Sequence, residues 1–373
     1  RESALQLLLE SERDGGSAPR AKLLVVSGPS GGGRTRLMEE LAAREVVAGA
    51  TVATMRAVEI DARDANAALL ALSRSGLDAA PGSAAAPPGA LGVLVARVPE
   101  WANRFPNVPA VDAMPLRDAF TAVLRATAEE RPLLLAIDDA DRLHAEELRW
   151  LPALLRDLAG LPVTLLLTAT VASGSAAMDE LTRSAGRDLP GAAVRLEALS
   201  LGAIRKLVDW TVPQWSDEAR DRLARRVWAE SAGLPGIAVE VLRAVEDGLT
   251  MEGAEWPAPD RTLDATLPGP LPEPLVAAIR IAFRRLPPEA ANLLSAASLL
   301  EEPFSAARAG CVAEVPDKGQ WEAGLDTLEW EGWLVMDGRG YSFPARARRR
   351  VIAHEMITPG RRRRLLDRIA ACR

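Results

Sequence analysis

Between Ser27 and Arg36 the chain reads SGPSGGGRTR, a spacing that can hold phosphates. Gly28-Pro29-Ser30-Gly31-Gly32-Gly33-Arg34-Thr35 follows the pattern G-x-x-x-x-G-K-[ST] except at the lysine. A loop that wraps a pyrophosphate needs consecutive backbone N–H groups turned inward, and small residues permit that. A helix starting where the loop ends adds the positive end of its dipole. In such a loop Thr35 offers its hydroxyl to Mg2+, Arg34 supplies the cation that lysine ordinarily gives, and Arg36 follows within reach of the same anion. Arginine is not an equivalent substitute: its guanidinium is planar, bulkier and always charged, whereas an ammonium is a compact point charge. It can still grip a phosphate through two N–H groups. The expectation is weakened or altered nucleotide binding, with hydrolysis suffering more than binding. Taken alone, the stretch reads equally well as a flexible glycine-rich turn.

A second group of residues changes that balance. LLLAIDDADR (Leu133 to Arg142) is an apolar strand ending in Asp138-Asp139. Open α/β sheets bind ligands at this carboxyl edge of their strands. There Asp138 would hold Mg2+ through water, and Asp139 could orient or deprotonate an attacking water. The plainer reading is an acidic helix start, because Asp also caps helices. Other chemistries are poorly supplied. Only two histidines occur, His144 and His354, too few for a His-dominated metal centre. The two cysteines, Cys311 and Cys372, lie far apart in sequence and make neither a disulfide framework nor a Cys-rich zinc site. That scarcity points to a reducing, cytoplasmic setting.

The elements needed to position both groups can be read from the pattern. KLLVVS is a short continuous apolar run, the signature of a buried strand, and TRLMEELAAREV after the loop is an amphipathic helix. Further strands are expected at Thr51–Ile60, Leu133–Ile137, LPVTLLLTAT and Ala192–Leu199, with helices at Leu116–Glu130 and Ala145–Leu158 between them. Another helix is expected before the first strand, with Leu5, Leu8 and Leu9 on one side. Apolar strands alternating with helices predict a parallel sheet with helices on both faces. From Ser200 the pattern turns all-helical, and Thr250 to Pro274 is rich in Pro and turn formers, as a linker would be. Beyond it come helices and then GWLVMDGRGYSF, two short strands around an Asp-Gly-Arg-Gly turn.

The totals agree with a globular chain of about two or three domains: 373 residues, 48% hydrophobic, 26% charged, net charge −6. No apolar run is long enough to span a membrane. The chain starts at Arg1 and ends in an arginine-rich stretch, which suggests a piece of a longer protein.

With these residues assembled, the chain resembles the STAND class of P-loop ATPases, signal-transducing ATPases with numerous domains. It looks closest to the AAA-like module of large LuxR-type regulators and of some bacterial kinases and cyclases, over nearly its whole length. Arg1-Glu2 resembles the end of the family's Gly-Arg-Glu opening, which helps enclose the adenine. LPVTLLLTATVA resembles the family strand that ends in a sensor arginine, but Val171 stands in the arginine's place. RLEALSLGAIRKLV resembles the passage into a helical lid, and GLPGIAVEVL its G-x-P motif, which makes Gly233 and Pro235 candidates for touching the nucleotide. Pro235 is equally readable as a simple helix start, which Pro favours. YSFPARARRRVIAHEM resembles a segment in which a histidine monitors the nucleotide: Phe343 fits, but Ala345 holds the histidine's position. His354 and His144 read as surface or loop residues.

The resemblance implies a P-loop NTPase α/β domain at 1–199, a helical lid at 200–249, a linker at 250–274, a winged helix at 275–360 and a further helical segment from 361 to 373. It implies ATP or ADP with Mg2+ as ligands, at most weak ATPase activity, and partners drawn from other protein domains or from copies of the chain. Arg34, Val171 and Ala345 together shift the expectation from an ATP-consuming engine to a nucleotide-holding or silent switch. Two other functions stay open. One is a scaffold whose pocket takes no nucleotide. The other is a DNA-binding winged helix using Arg346, Arg348, Arg349, Arg350 and Arg361 to Arg364. The acidic whole disfavours DNA, because phosphate contacts need a positive field. Nine tryptophans are spread along the chain and read as core and interface residues.

Overall fold

Continuous apolar runs that alternate with amphipathic helices build the first half of the chain. The computed structural model describes residues 20–171, 174–246, 271, 273–315, 317–337 and 340–372. The helix expected before the first strand, Arg1-Glu2 and almost all of the linker lie outside the described residues. The chain divides into two compact units. One comprises Arg1–Gly28 and Arg34–Leu196, and the other Pro29–Gly33 and Glu197–Arg373.

The first unit runs β1 (Lys22–Gly28), α1 (Arg34–Val47), β2 (Thr51–Arg56), α2 (Ala67–Leu72), α3 (Pro88–Arg97), α4 (Pro99–Arg104), α5 (Leu116–Glu130), β3 (Leu133–Asp138), α6 (Ala145–Asp157), β4 (Val163–Thr170), α7 (Ala176–Ser184) and β5 (Gly191–Arg195). The five strands form one parallel sheet in the order β2-β3-β4-β1-β5. Side chains alternate across it with period two. Leu23, Val25, Leu133, Leu135 and Ile137 join one core with Trp101 and Phe120. Leu24, Val26, Leu134 and Ala136 face the other way, onto Leu37, Met38 and Leu41 of α1. Because both faces are covered, the strands read as unbroken hydrophobic runs rather than alternating ones. The pairing also sets the site: Gly28 lies opposite Thr170, and Arg56 opposite Asp138.

The second unit runs α8 (Leu201–Thr211), α9 (Asp217–Ser231), α10 (Pro235–Glu246), α11 (Glu273–Arg284), α12 (Pro288–Ala297), α13 (Ala306–Ala313), α14 (Lys318–Trp330), β6 (Val335–Asp337), β7 (Gly340–Ser342), α15 (Arg346–Val351) and α16 (Pro359–Ala371). Its starts are chemically marked: Ser200, Ser216, Ser305, Asp317 and Thr358 each accept a hydrogen bond from a main-chain N–H of the helix they cap. One hydrophobic core runs through its helices. β6 and β7 form an antiparallel hairpin where the Asp-Gly-Arg-Gly turn was expected.

The cysteines require a correction. Cys311 in α13 and Cys372 just beyond α16 are joined as a disulfide, with their Cα atoms 6.1 Å apart. Distance along the chain misled, because α16 folds back onto α13. There Arg368 donates to Val312 O and pairs with Glu314. The tryptophans also divide. Trp101 and Trp333 are fully buried, but Trp210 is 89% exposed.

Candidate functional site

In the first unit, the residues of the two motifs meet at the carboxyl edge of the sheet. The first helical turn of α1 carries Arg34 and Thr35, and β3 ends in Asp138. Thr35 Oγ1 donates to Asp138 Oδ2 at 2.8 Å. Thr168 of β4 donates to the other oxygen, Oδ1, at 2.5 Å. Asp138 is thus buried with each carboxylate oxygen held by a hydroxyl. The Asp139 N–H donates to Thr168 Oγ1 at 3.0 Å. Asp139 itself takes a left-handed conformation, φ 52°, which turns the chain sharply off the strand. Non-glycine residues held this way cluster at functional sites.

Arginines occupy both oxygens of Asp139. Arg34 Nη2 donates to Oδ1 at 3.2 Å, while Arg56 donates to Oδ2 through Nη2 at 3.1 Å and Nε at 3.2 Å. Arg34 Nη1 donates to Thr170 Oγ1 at 2.8 Å. The guanidinium standing in for the usual lysine is therefore buried in an ion pair with the second acid. A pair so placed resists removal of either partner, because the survivor is left charged and buried. Gly28, just before the loop, is packed closely on Leu196: a Cβ there would stand 3.1 Å from Leu196 Cβ and 3.2 Å from Leu196 O. Asp141 adds a third carboxylate, accepting the Thr170 N–H at 3.1 Å. Burial pushes the Asp141 carboxyl above its usual range, against the Thr170 N–H and the Arg34 cation, with Asp139 adding to the rise. Thr170 and Val171 also line a cavity of about 300 Å³ with Met178, Thr182, Val194 and Arg195. Val171 thus gives that wall an apolar group where the resemblance looked for an arginine.

A threonine hydroxyl and a carboxylate 2.8 Å apart are hard oxygen ligands of the type Mg2+ takes, so Thr35 and Asp138 fit it. Arg34 does not hold the position of a free phosphate-seeking cation.

The loop tip, Pro29–Gly33, belongs to the second unit. Gly31 and Gly33 have φ of 76° and 88°, and Gly32 N–H donates to Pro29 O at 2.9 Å. A Cβ on Gly32 would sit 2.7 Å from that same oxygen, so the turn requires glycine. Two donors hold the carbonyls of the tip. Gly236 N–H, at the start of α10, donates to Gly31 O at 3.0 Å, and Arg348 Nη2 of α15 donates to Ser30 O at 2.9 Å.

The remaining sequence candidates fall as follows. Arg36 points away, with its side chain 80% exposed beside Glu39 and Glu40. Gly233, φ 73°, accepts the Leu199 N–H at 2.8 Å, and Pro235 is the first residue of α10. The loop contact at this helix start is made by Gly236. Ala345 is a buried N-cap of α15, His354 is exposed, and His144 caps α6 by accepting the Glu146 N–H. Phe343 is buried, and its N–H donates to Glu302. Sequence reading missed Arg56, Asp141, Thr168, Thr170 and Gly236, and it named Arg348 only as a candidate for DNA. The alternating threonines of LTAT were a signal for two of them, once β4 is known to pair with β1.

The basic end is largely consumed inside the second unit. Arg349 donates to the carbonyls of Ser298 and Leu300, Arg362 to Ala353 O, and Arg361 to Asn292 Oδ1. Most of these acceptors are carbonyls near helix ends, which helices leave unsatisfied.

Residues 1–168 match the AAA ATPase domain family. No curated protein matches the chain significantly. Among solved structures, a Walker-type ATPase of Pyrococcus abyssi superposes with a TM-score of 0.52 at 14% identity, covering 94% of this chain and 95% of its own. The ORC2 protein of Aeropyrum pernix, solved in ADPNP-ADP complexes, gives 0.54 at 13% identity, with 99% of this chain and 93% of its own covered. At such identities the likeness is one of fold, that of P-loop ATPases. No helix among the described residues is long and apolar enough to cross a membrane.

Proposed function

We propose that this chain is a nucleotide-operated switch built on an AAA-type ATPase module, binding ATP or ADP and turning it over slowly or not at all. In this reading Gly28 to Thr35 receive the phosphates, and Thr35 and Asp138 hold Mg2+. Pro235 and Gly236 start the last helix of a helical lid at 200–249, and 275–360 is a winged helix. When bound, Mg2+ would neutralise phosphate charge. Asp139 is the residue placed to orient a water, yet in this arrangement both of its oxygens are taken by guanidinium groups. That buried pairing of Arg34 with Asp139 carries the reading: it leaves the glycine loop intact for binding while it occupies the group that hydrolysis needs. As in the STAND class that the sequence resembles, the bound nucleotide would bias alternative arrangements of the module, which act on other domains or on copies of the chain.

Equilibrium titration with labelled ATP and ADP tests this. The wild-type chain should bind at least one of them saturably, and Asp138→Ala should weaken Mg-dependent binding about tenfold or more. Absence of saturable binding by either nucleotide sinks the switch. It would favour instead a scaffold whose pocket stays closed by Arg34, which the same ion pair also supports. The two readings separate in thermal unfolding, since a ligand at a hundred times its Kd adds about 2.7 kcal/mol. The internal use of Arg348, Arg349, Arg361 and Arg362 weighs against DNA as the partner.

A further inference from the structure

Arg348 is buried to 2% exposure, and its hydrogen bonds go to two main-chain carbonyls rather than to a carboxylate: Gly332 O through Nη1 and Ser30 O through Nη2, both at 2.9 Å. Its guanidinium lies over the ring of the fully buried Trp333, 4.3 Å from the centroid. Burial pulls its pKa down to about 10, with Glu331 opposing the fall. A buried cation is costly to place, so its position calls for a function. The residue it reaches is Ser30, 318 positions earlier and inside the glycine loop.

A planar trans peptide points its carbonyl and its N–H in opposite directions. A donor that grips Ser30 O therefore fixes the Ser30–Gly31 peptide and aims Gly31 N–H away from Arg348. Among the described residues that N–H has no partner, so it is a donor left over for a ligand. The bond from Gly236 to Gly31 O orients the next peptide in the same way, although its N–H is spent on Pro29 O. Gly332, whose carbonyl takes the other bond of Arg348, has φ 68°, a backbone conformation that favours glycine.

We infer that Arg348 is a positioning residue for the glycine loop, holding its carbonyl side so that the Gly31 N–H stays set to receive a phosphate oxygen. What the loop receives rests on the nucleotide reading above. The clamp itself rests on the hydrogen bonds of Arg348. Its consequence is regulatory, because any rearrangement that withdraws α15 releases the loop.

The test compares wild type, Arg348→Met and Arg348→Lys in the full chain by hydrogen exchange, alongside ADP titration. Methionine keeps an apolar stem on Trp333 and removes both donors, while lysine keeps the charge and can grip one carbonyl. Amides of the segment spanning residues 27–36 should exchange about tenfold faster in Arg348→Met, with α9 and α12 unchanged, and Arg348→Lys should recover part of the protection. ADP affinity should fall in step with the loop's protection and recover with it. Unchanged loop exchange in Arg348→Met overturns the clamp. So does faster exchange spread evenly over the second unit in both variants, which marks Arg348 as a core support only. If the wild type binds neither ADP nor ATP, the nucleotide reading fails while the exchange data still judge the clamp.

Discussion

At the residue scale, the substitution of arginine for the expected lysine matters less for its charge than for its reach. An ammonium is a single point, whereas the Arg34 guanidinium extends far enough to bond Thr170 and Asp139 together. Arg34→Lys should free Asp139 Oδ1 and Thr170. We expect phosphate release from ATP to rise about tenfold or more, read by a steady-state phosphate assay; an unchanged rate would place the deficit elsewhere, with Val171 the next residue to examine. A second buried acid has a different consequence. Glu147 of α6 is 1% exposed and accepts the N–H groups of Leu69 at 3.0 Å and Ala68 at 3.2 Å, capping α2 from outside. Burial raises its pKa to about 7. The two N–H groups and Arg117 oppose the rise, and Asp64 adds to it. The folded chain therefore holds this proton more tightly than the unfolded one. Its contribution is fullest below the ordinary glutamate range and is lost as pH climbs to about 7. The loss is about 3 kcal/mol. Urea unfolding at pH 5 and pH 8 should show that much less pH dependence in Glu147→Gln; an identical slope would acquit Glu147.

At the scale of elements, the site depends on strand register. Gly28 reaches Thr170 only because β1 runs parallel to β4, and Arg56 reaches Asp139 from the end of β2, whose register sets it opposite Asp138. The edge strand β5 has its own fixed point. Gly191, φ 129°, lies opposite Leu23, and a Cβ on it would fall 1.9 Å from Leu23 O. Neither backbone can yield without breaking the pairing, so Gly191→Ala should cost at least about 2 kcal/mol. Chemical denaturation measures it, and a loss within about 0.5 kcal/mol would show that β5 is dispensable to the sheet.

At the scale of the whole molecule, the disulfide ties together two distant stretches of the second unit. Cys311 and Cys372 are 61 residues apart, so their bond closes a long loop that the unfolded chain would otherwise leave free. Chain entropy values this at about 4 kcal/mol. Reductant should lower the unfolding midpoint of the wild type and leave Cys311→Ser unaffected; a wild type indifferent to reductant would mean that the bond does not form in solution. The arginine-rich end shows the same lesson about context. Its composition invites nucleic acid, yet the bonds of Arg349, Arg361, Arg362 and Arg368 hold the second unit together.

The amino-acid sequence by itself determined the alternation of buried strands and helices, the glycine loop between β1 and α1, and the two aspartates at the end of β3. These follow from local periodicity and from the backbone freedom of glycine, which are properties of neighbours in the chain. Tertiary structure alone decided what the charged groups do. Whether Arg34 faces a phosphate or an aspartate, whether Arg348 is a surface cation or a clamp on Ser30, and whether two distant cysteines meet are all settled by contacts between residues far apart in sequence. Such contacts arise from packing and strand register, and no local pattern records them.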